Sequence, residues 1–252
     1  MSVSCNDNNI KIWNFENWEC ILNLTNFNKH GKIYSSCFLK DNNQILIVTS
    51  NYISTFNFNR DYEAIKIFNI NGKYLDNYIS NEKITFIDTF YDEKNINKYI
   101  IAGNDGFIEK FIYKSNRPFI RYNDYDNNII NDIIINYNDD PIKLINSGDK
   151  GYVNIWDFHS GILLKTIKVK LDMLGLSLWT YNMLLYADSN RSIILALNIE
   201  SGRSFDFYSG FGFTTKLKVI YIPDYGKYLI FQNDRGFIYI WKTYSSNEKI
   251  FI

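Results

Sequence analysis

The chain has 252 residues, 46% of them hydrophobic, which is enough to bury a sizeable core within one domain spanning 1–252. Its 27 basic and 27 acidic residues cancel, and no run of five like charges occurs, so no global field draws it to nucleic acid or an anionic membrane. The opening MSVSCNDNN lacks the shape of a secretory leader, and the most apolar stretch, 171–187, is too short and too polar to span a membrane. Cys5, Cys20 and Cys37 form an odd set without CxxC spacing and read as reduced thiols of a soluble, cytoplasmic protein, Cys37 being a small residue of an apolar strand.

Twenty tyrosines, nineteen phenylalanines and many isoleucines favour strands, because rings and β-branched carbons fit a pleated, half-buried surface. In chain order, Val3-Ser4 reads as the tail of a strand, and the next strand closes at Trp13-Asn14. Ile33–Leu39 pairs with Ile45–Ser50, followed by an insertion of roughly Asn51 to Glu63 and a strand ending at Phe68-Asn69. Thr85–Phe90 pairs with Tyr99–Ala102, and Gly103–Phe111 supplies a turn and a strand. Asp132–Tyr137 pairs with Ile142–Ser147, then come the tight turn Gly148–Gly151, the strand Tyr152–Trp156, the turn Phe158–Gly161 and the strand Leu163–Val169. Leu174–Trp179 pairs with Met183–Ala187 ahead of a strand ending at Leu197-Asn198. Leu217–Ile222 pairs with Tyr228–Gln232 ahead of Trp241-Lys242, and Glu248–Ile252 is a last strand. The closing residues 13, 68, 111, 156, 197 and 241 stand 55, 43, 45, 41 and 44 residues apart. Short strands recurring at ~40–45 residues mark an all-β propeller of four-stranded antiparallel blades.

The string GDKGYVNIWDFHSGILLKTI, Gly148–Ile167, resembles the WD-repeat family down to its Trp-Asp pair and the Ser-Gly that follows. The resemblance extends over essentially the whole chain. It implies strands a to d running outward in each blade, with the Trp-Asp pair closing strand c. It also implies a hydrogen-bonded network of a loop His, a turn Asp, a strand b Ser or Thr, and the Trp. Here the fourth unit has Ser147, Asp149 and Trp156 but no such His, and the last unit has Gly210-Phe211 in the His slot. Ring packing and strand ladders must therefore hold the blades, each buried ring contributing ~1.5–3 kcal/mol. The strand count gives about five complete blades and an N-terminal half blade retaining only strands c and d. On that count residues before Ile10 pair poorly, and either the ring is open or the chain is part of a longer one. An open propeller edge invites self-association.

Signals for chemistry are few. His159 falls in an exposed turn, and His30, in Asn28-Lys29-His30-Gly31, reads as a blade-internal hydrogen-bonding residue. Gly210–Thr215 is glycine-rich but lacks the Lys and helix of a phosphate loop. Asp105, Asp149 and Asp234 recur once per blade in b–c turns, where a carboxylate accepts backbone N–H bonds. No catalytic, cofactor or metal site is expected, and no cofactor. The sequence instead predicts a non-enzymatic scaffold that binds a partner protein or peptide on its loop faces. Alternatives are a regulatory or substrate-recognition propeller of an enzyme complex and, further off, a nucleic-acid-binding propeller. On the face formed by d–a and b–c loops, Arg121, Tyr122, Tyr125, Arg191, Phe211, Phe213 and Arg235 are the predicted partner contacts, because Tyr and Arg bury much area at modest entropic cost.

Overall fold

A computed structural model describes residues 2–4, 9–14, 17, 19–25, 32–41, 44–53, 62–80, 84–104, 106–115, 118–123, 129–137, 140–169, 173–188, 191–209, 214–222, 226–233 and 238–243. The fold is all-β and of the propeller class: among the described residues twenty-two strands fall in chain order into consecutive antiparallel sheets, and no helix is found. Four sheets carry strands a, b, c and d in sequence order, and among the described residues the first sheet carries b, c and d and the last a, b and c, so every connection within a sheet is a hairpin. The chain divides into two compact units, residues 1–130 and 131–252.

The first unit opens with β1 (Ser2–Ser4), β2 (Asn9–Trp13) and β3 (Cys20–Leu24). The residues before Ile10 do pair, against expectation: Ser2, Val3 and Ser4 oppose Lys11, Ile10 and Asn9. This short strand b can form because Ile10 is wholly buried, with Ile33 and Phe68 in the same apolar cluster. Next comes the sheet β4 (Lys32–Asp41), β5 (Gln44–Ile53), β6 (Tyr62–Asn69) and β7 (Tyr74–Ser80). Part of the expected insertion extends this hairpin, Asn51, Tyr52 and Ile53 pairing with Ala64, Glu63 and Tyr62; residues 54–61 lie outside the described residues. The third sheet is β8 (Ile84–Asp92), β9 (Asn97–Asn104), β10 (Phe107–Ile112) and β11 (Pro118–Asn123). Phe68 and Phe111 close their strands fully buried, and Thr89 Oγ1 donates to the carbonyl of Phe38, tying β8 to β4.

The second unit contains β12 (Ile130–Asn136), β13 (Lys143–Gly148), β14 (Tyr152–Asp157) and β15 (Leu163–Lys168). It continues with β16 (Met173–Thr180), β17 (Met183–Asp188), β18 (Ile193–Asn198) and β19 (Ser204–Ser209), and ends with β20 (Thr214–Ile222), β21 (Gly226–Asn233) and β22 (Ile238–Thr243). The expected final strand, Glu248–Ile252, lies outside the described residues. Trp156 is 3% exposed and Leu197 fully buried. The indole of Trp156 donates to Asn146 Oδ1 at 2.7 Å, not to Ser147, whose buried hydroxyl has no hydrogen-bond partner among the described residues. At the ends of the described chain Trp13 and Trp241 are 43% and 38% exposed, so they contribute less than a buried closing ring.

First strands of successive sheets lie side by side within this unit, and side chains of one reach the backbone of the next. The amide of Leu176 donates to Asp132 Oδ2 at 2.8 Å, and the amide of Val219 to Ser177 Oγ at 2.7 Å. Asn131 Nδ2 donates to the carbonyl of Met173 at 2.9 Å. These bonds satisfy groups that no ladder within a sheet can reach, since strand a has a neighbour on one side only. The approach is close: a Cβ on Gly175 would lie 2.9 Å from the Leu217 backbone nitrogen.

Gly103 makes a sharp demand of its own. It opposes Phe86 in the β8–β9 ladder, and a Cβ there would sit 1.8 Å from the ring's Cζ, so the tip of the ring fills the space a side chain would take. Gly103→Ala is expected to cost ~1–3 kcal/mol as overpacking, read as a fall in the urea midpoint at unchanged slope. Adding Phe86→Leu should return part of that loss, because the smaller side chain vacates the contact.

Candidate partner-binding site

The turns after Phe68, Trp156 and Leu197 are closed by the side chain of the next residue. Asn69 Oδ1 accepts the amides of Asn71 and Lys73, at 3.0 and 2.8 Å. Asp157 Oδ1 accepts those of His159 and Ser160, at 3.1 and 2.6 Å, and Asn198 Oδ1 those of Glu200 and Ser201, at 3.0 and 2.8 Å. Each turn then bends through a glycine with φ near +75°, at Gly72, Gly161 and Gly202. The small polar residue after the closing ring is thus a turn-former, which accounts for its recurrence. The Ser160 hydroxyl, helped by the two turn amides and the nearby His159, holds the Asp157 carboxyl below its usual range. His159 rests edge-on against the Phe158 ring.

Strand d carries a second recurrent device. Its register slips opposite Trp13, Phe68, Phe111 and Trp156, so that Ile21, Leu75, Phe119 and Leu164 are extra, bulged residues. Ile21, Leu75 and Leu164 stand exposed. A bulge at this place disrupts the outer edge of the sheet and so opposes edge-to-edge pairing.

The predicted contacts divide sharply. Arg121 and Tyr122 belong to strand β11, not to the loop before the fourth blade. Tyr122 is 1% exposed, which corrects its reading as a surface contact. Its ring lies 5.9 Å from the fully buried Lys110 ammonium, which also sits 5.1 Å from the Tyr99 ring, and covering that cation keeps Tyr122 inside. Arg121 is half exposed, yet its guanidinium bonds Glu109 Oε1 at 2.6 Å and stacks 3.7 Å above the Phe107 ring. Arg191 sits at a b–c turn and faces the buried Asp188 carboxylate at 3.2 Å, an ionic contact without hydrogen-bond alignment. Both arginines are therefore engaged internally. Tyr125, Phe211, Phe213 and Arg235 lie outside the described residues, as do His30, Asp105 and Asp234.

Sequence reasoning missed a different set. Tyr91, Tyr137, Tyr181 and Tyr221 stand at the ends of first strands or in the a–b turns that follow, spaced 46, 44 and 40 residues apart. Within the second unit Tyr137, Tyr181 and Tyr221 are 65%, 56% and 67% exposed. Their phenols have no hydrogen-bond, ionic or ring partner among the described residues. Other tyrosines are committed: Tyr78 Oη accepts the Lys114 amide at 2.7 Å, and Tyr99 Oη accepts from Asn97. The turns beneath the three free rings are braced. The wholly buried Asn136 donates from Nδ2 to the carbonyl of Tyr181 at 2.8 Å, and Ile199 N donates to the Asn182 carbonyl at 2.9 Å. Lys227 Nζ donates to the Trp179 carbonyl at 2.6 Å, and burial lowers the pKa of that amine.

Among the described residues no group of three or more His, Cys, Asp or Glu could hold a metal ion, and no helix is long and apolar enough to cross a membrane. No protein-family model matches the chain, and no curated protein matches it.

The Asp157 turn makes a prediction with a definite sign. Asp157→Ala removes the acceptor for two amides and a hydroxyl and should cost ~1 kcal/mol, whereas Asp157→Asn, which copies Asn69 and Asn198, should stay within ~0.5 kcal/mol. Because the folded carboxyl titrates below its unfolded value, its contribution is complete above the ordinary carboxylate range and is lost as pH falls through the depressed value. Urea unfolding from neutral to acid pH should show the gap between wild type and Asp157→Ala closing below about pH 4.

Proposed function

We propose that this chain is a WD-repeat-type interaction module, without catalysis of its own, that binds a protein partner through the tyrosine-bearing a–b turns of its second unit. The observation that carries the reading is the recurrence of exposed, uncommitted tyrosines on braced turns at repeat spacing. A ring with one polar tip and two rotatable angles buries much area for little lost entropy, which is why tyrosine recurs where proteins meet. The Gly148–Ile167 string and the Asp- or Asn-closed c–d turns support the family reading. The two described arginines first expected to contact the partner serve this function poorly, since binding would have to break the ion pairs they already make.

The test uses the full chain immobilised in native extract beside a Tyr137→Ser, Tyr181→Ser, Tyr221→Ser triple variant. The substitutions lie on the surface and should each change stability by less than about 0.5 kcal/mol, which thermal unfolding checks. The partner should be retained stoichiometrically by the wild type and weakened by about tenfold or more in the variant, in keeping with hot-spot losses. Equal retention by a folded triple variant places the contact elsewhere.

A further inference from the structure

The chemistry left open around these tyrosines narrows the partner to one class. The backbone of the central turn is already used: Thr180 pairs with Met183, the Tyr181 carbonyl accepts from Asn136, and the Asn182 carbonyl accepts from Ile199. A partner therefore finds little ladder to extend there, which argues against strand addition. The described charges at this end have both signs, Lys143, Lys165, Arg203, Lys227 and Lys242 against Asp140, Asp157 and Glu200, and Lys165 and Lys227 are committed to carbonyls. Such a surface selects neither an acidic nor a basic segment. What remains on offer is three ring faces and three phenolic O–H donors.

We propose that the second unit binds a proline-rich, extended segment of its partner through Tyr137, Tyr181 and Tyr221; the proposal rests on the reading of these turns as the contact surface. A polyproline II segment has no internal hydrogen bonds, so its carbonyls point outward as acceptors, and proline contributes no N–H. Phenol donors meet those carbonyls while pyrrolidine rings pack on the tyrosine faces, and neither side needs a charge. The segment is preformed, so little conformational entropy is lost when it docks.

The experiment is fluorescence anisotropy of the full chain with a dye-labelled oligoproline of about twelve residues, roughly 37 Å long in this conformation. A glycine–serine peptide and an oligoglutamate of the same length serve as controls. Saturable binding of oligoproline alone is expected, weakened about tenfold or more in the triple serine variant. Replacing the three tyrosines by phenylalanine, which keeps rings and removes donors, should give an intermediate loss. The proposal is overturned by absent oligoproline binding, by binding that the triple serine variant retains, or by equal binding of either control. If oligoproline fails while the native partner still depends on the three tyrosines, the partner class is wrong and the contact surface stands. If the native partner is indifferent to them as well, both fall.

Discussion

The structure depends on how the first strand of each sheet satisfies the edge that no neighbouring strand in its own sheet can reach. Buried backbone groups must be paired, and a strand with one neighbour leaves half of its ladder groups without partners. In the second unit the solution is a side chain placed once per repeat. Asp132 accepts from the amide of Leu176, and 45 residues later Ser177 accepts from that of Val219. Asn136 and Lys227 do the same for the carbonyls of Tyr181 and Trp179. Each bond costs little to form within a preorganised sheet and leaves a buried group unpaired if lost, a penalty of ~1–3 kcal/mol. The a–b turns inherit their rigidity from this lattice, and the free tyrosines stand on those turns.

The outer strands meet the opposite problem. Their free edges face water, where pairing with another chain is the hazard. The bulges at Ile21, Leu75, Phe119 and Leu164 interrupt four of the outer strands near their starts, and Asn69 and Asp157 fix the turns just before two of these. One repeat unit thus carries an inward device that joins sheets and an outward device that keeps edges from joining strangers.

Much of this was legible in the sequence because strands and turns announce themselves locally. Alternating apolar runs bounded by Ser-Gly and Gly-x-x-Gly turns placed every described a–b hairpin to within a few residues. The closing residues set the repeat. What failed depended on contacts between strands. Tyr122 looks like an exposed loop ring until Lys110 is found buried beneath it. Arg121 and Arg191 look free until Glu109 and Asp188 are seen opposite them. Asn146 takes the Trp156 indole that the family pattern assigns to the neighbouring Ser147, because only the register decides which side chain faces the ring. The tyrosines after the first strands did leave a signal, their recurrence at repeat spacing, but exposure is what sets Tyr137, Tyr181 and Tyr221 apart from the other described tyrosines, and exposure is a property of the fold.

The central claim, that braced turns present uncommitted tyrosines to a partner, is tested most directly by nitration with tetranitromethane, mapped residue by residue by mass spectrometry. In the free protein Tyr137, Tyr181 and Tyr221 should be modified ahead of buried Tyr122 and Tyr186. With the native partner bound, the same three should be protected together. Rapid nitration of Tyr122, or a complex in which all three react as fast as in the free protein, would contradict the account.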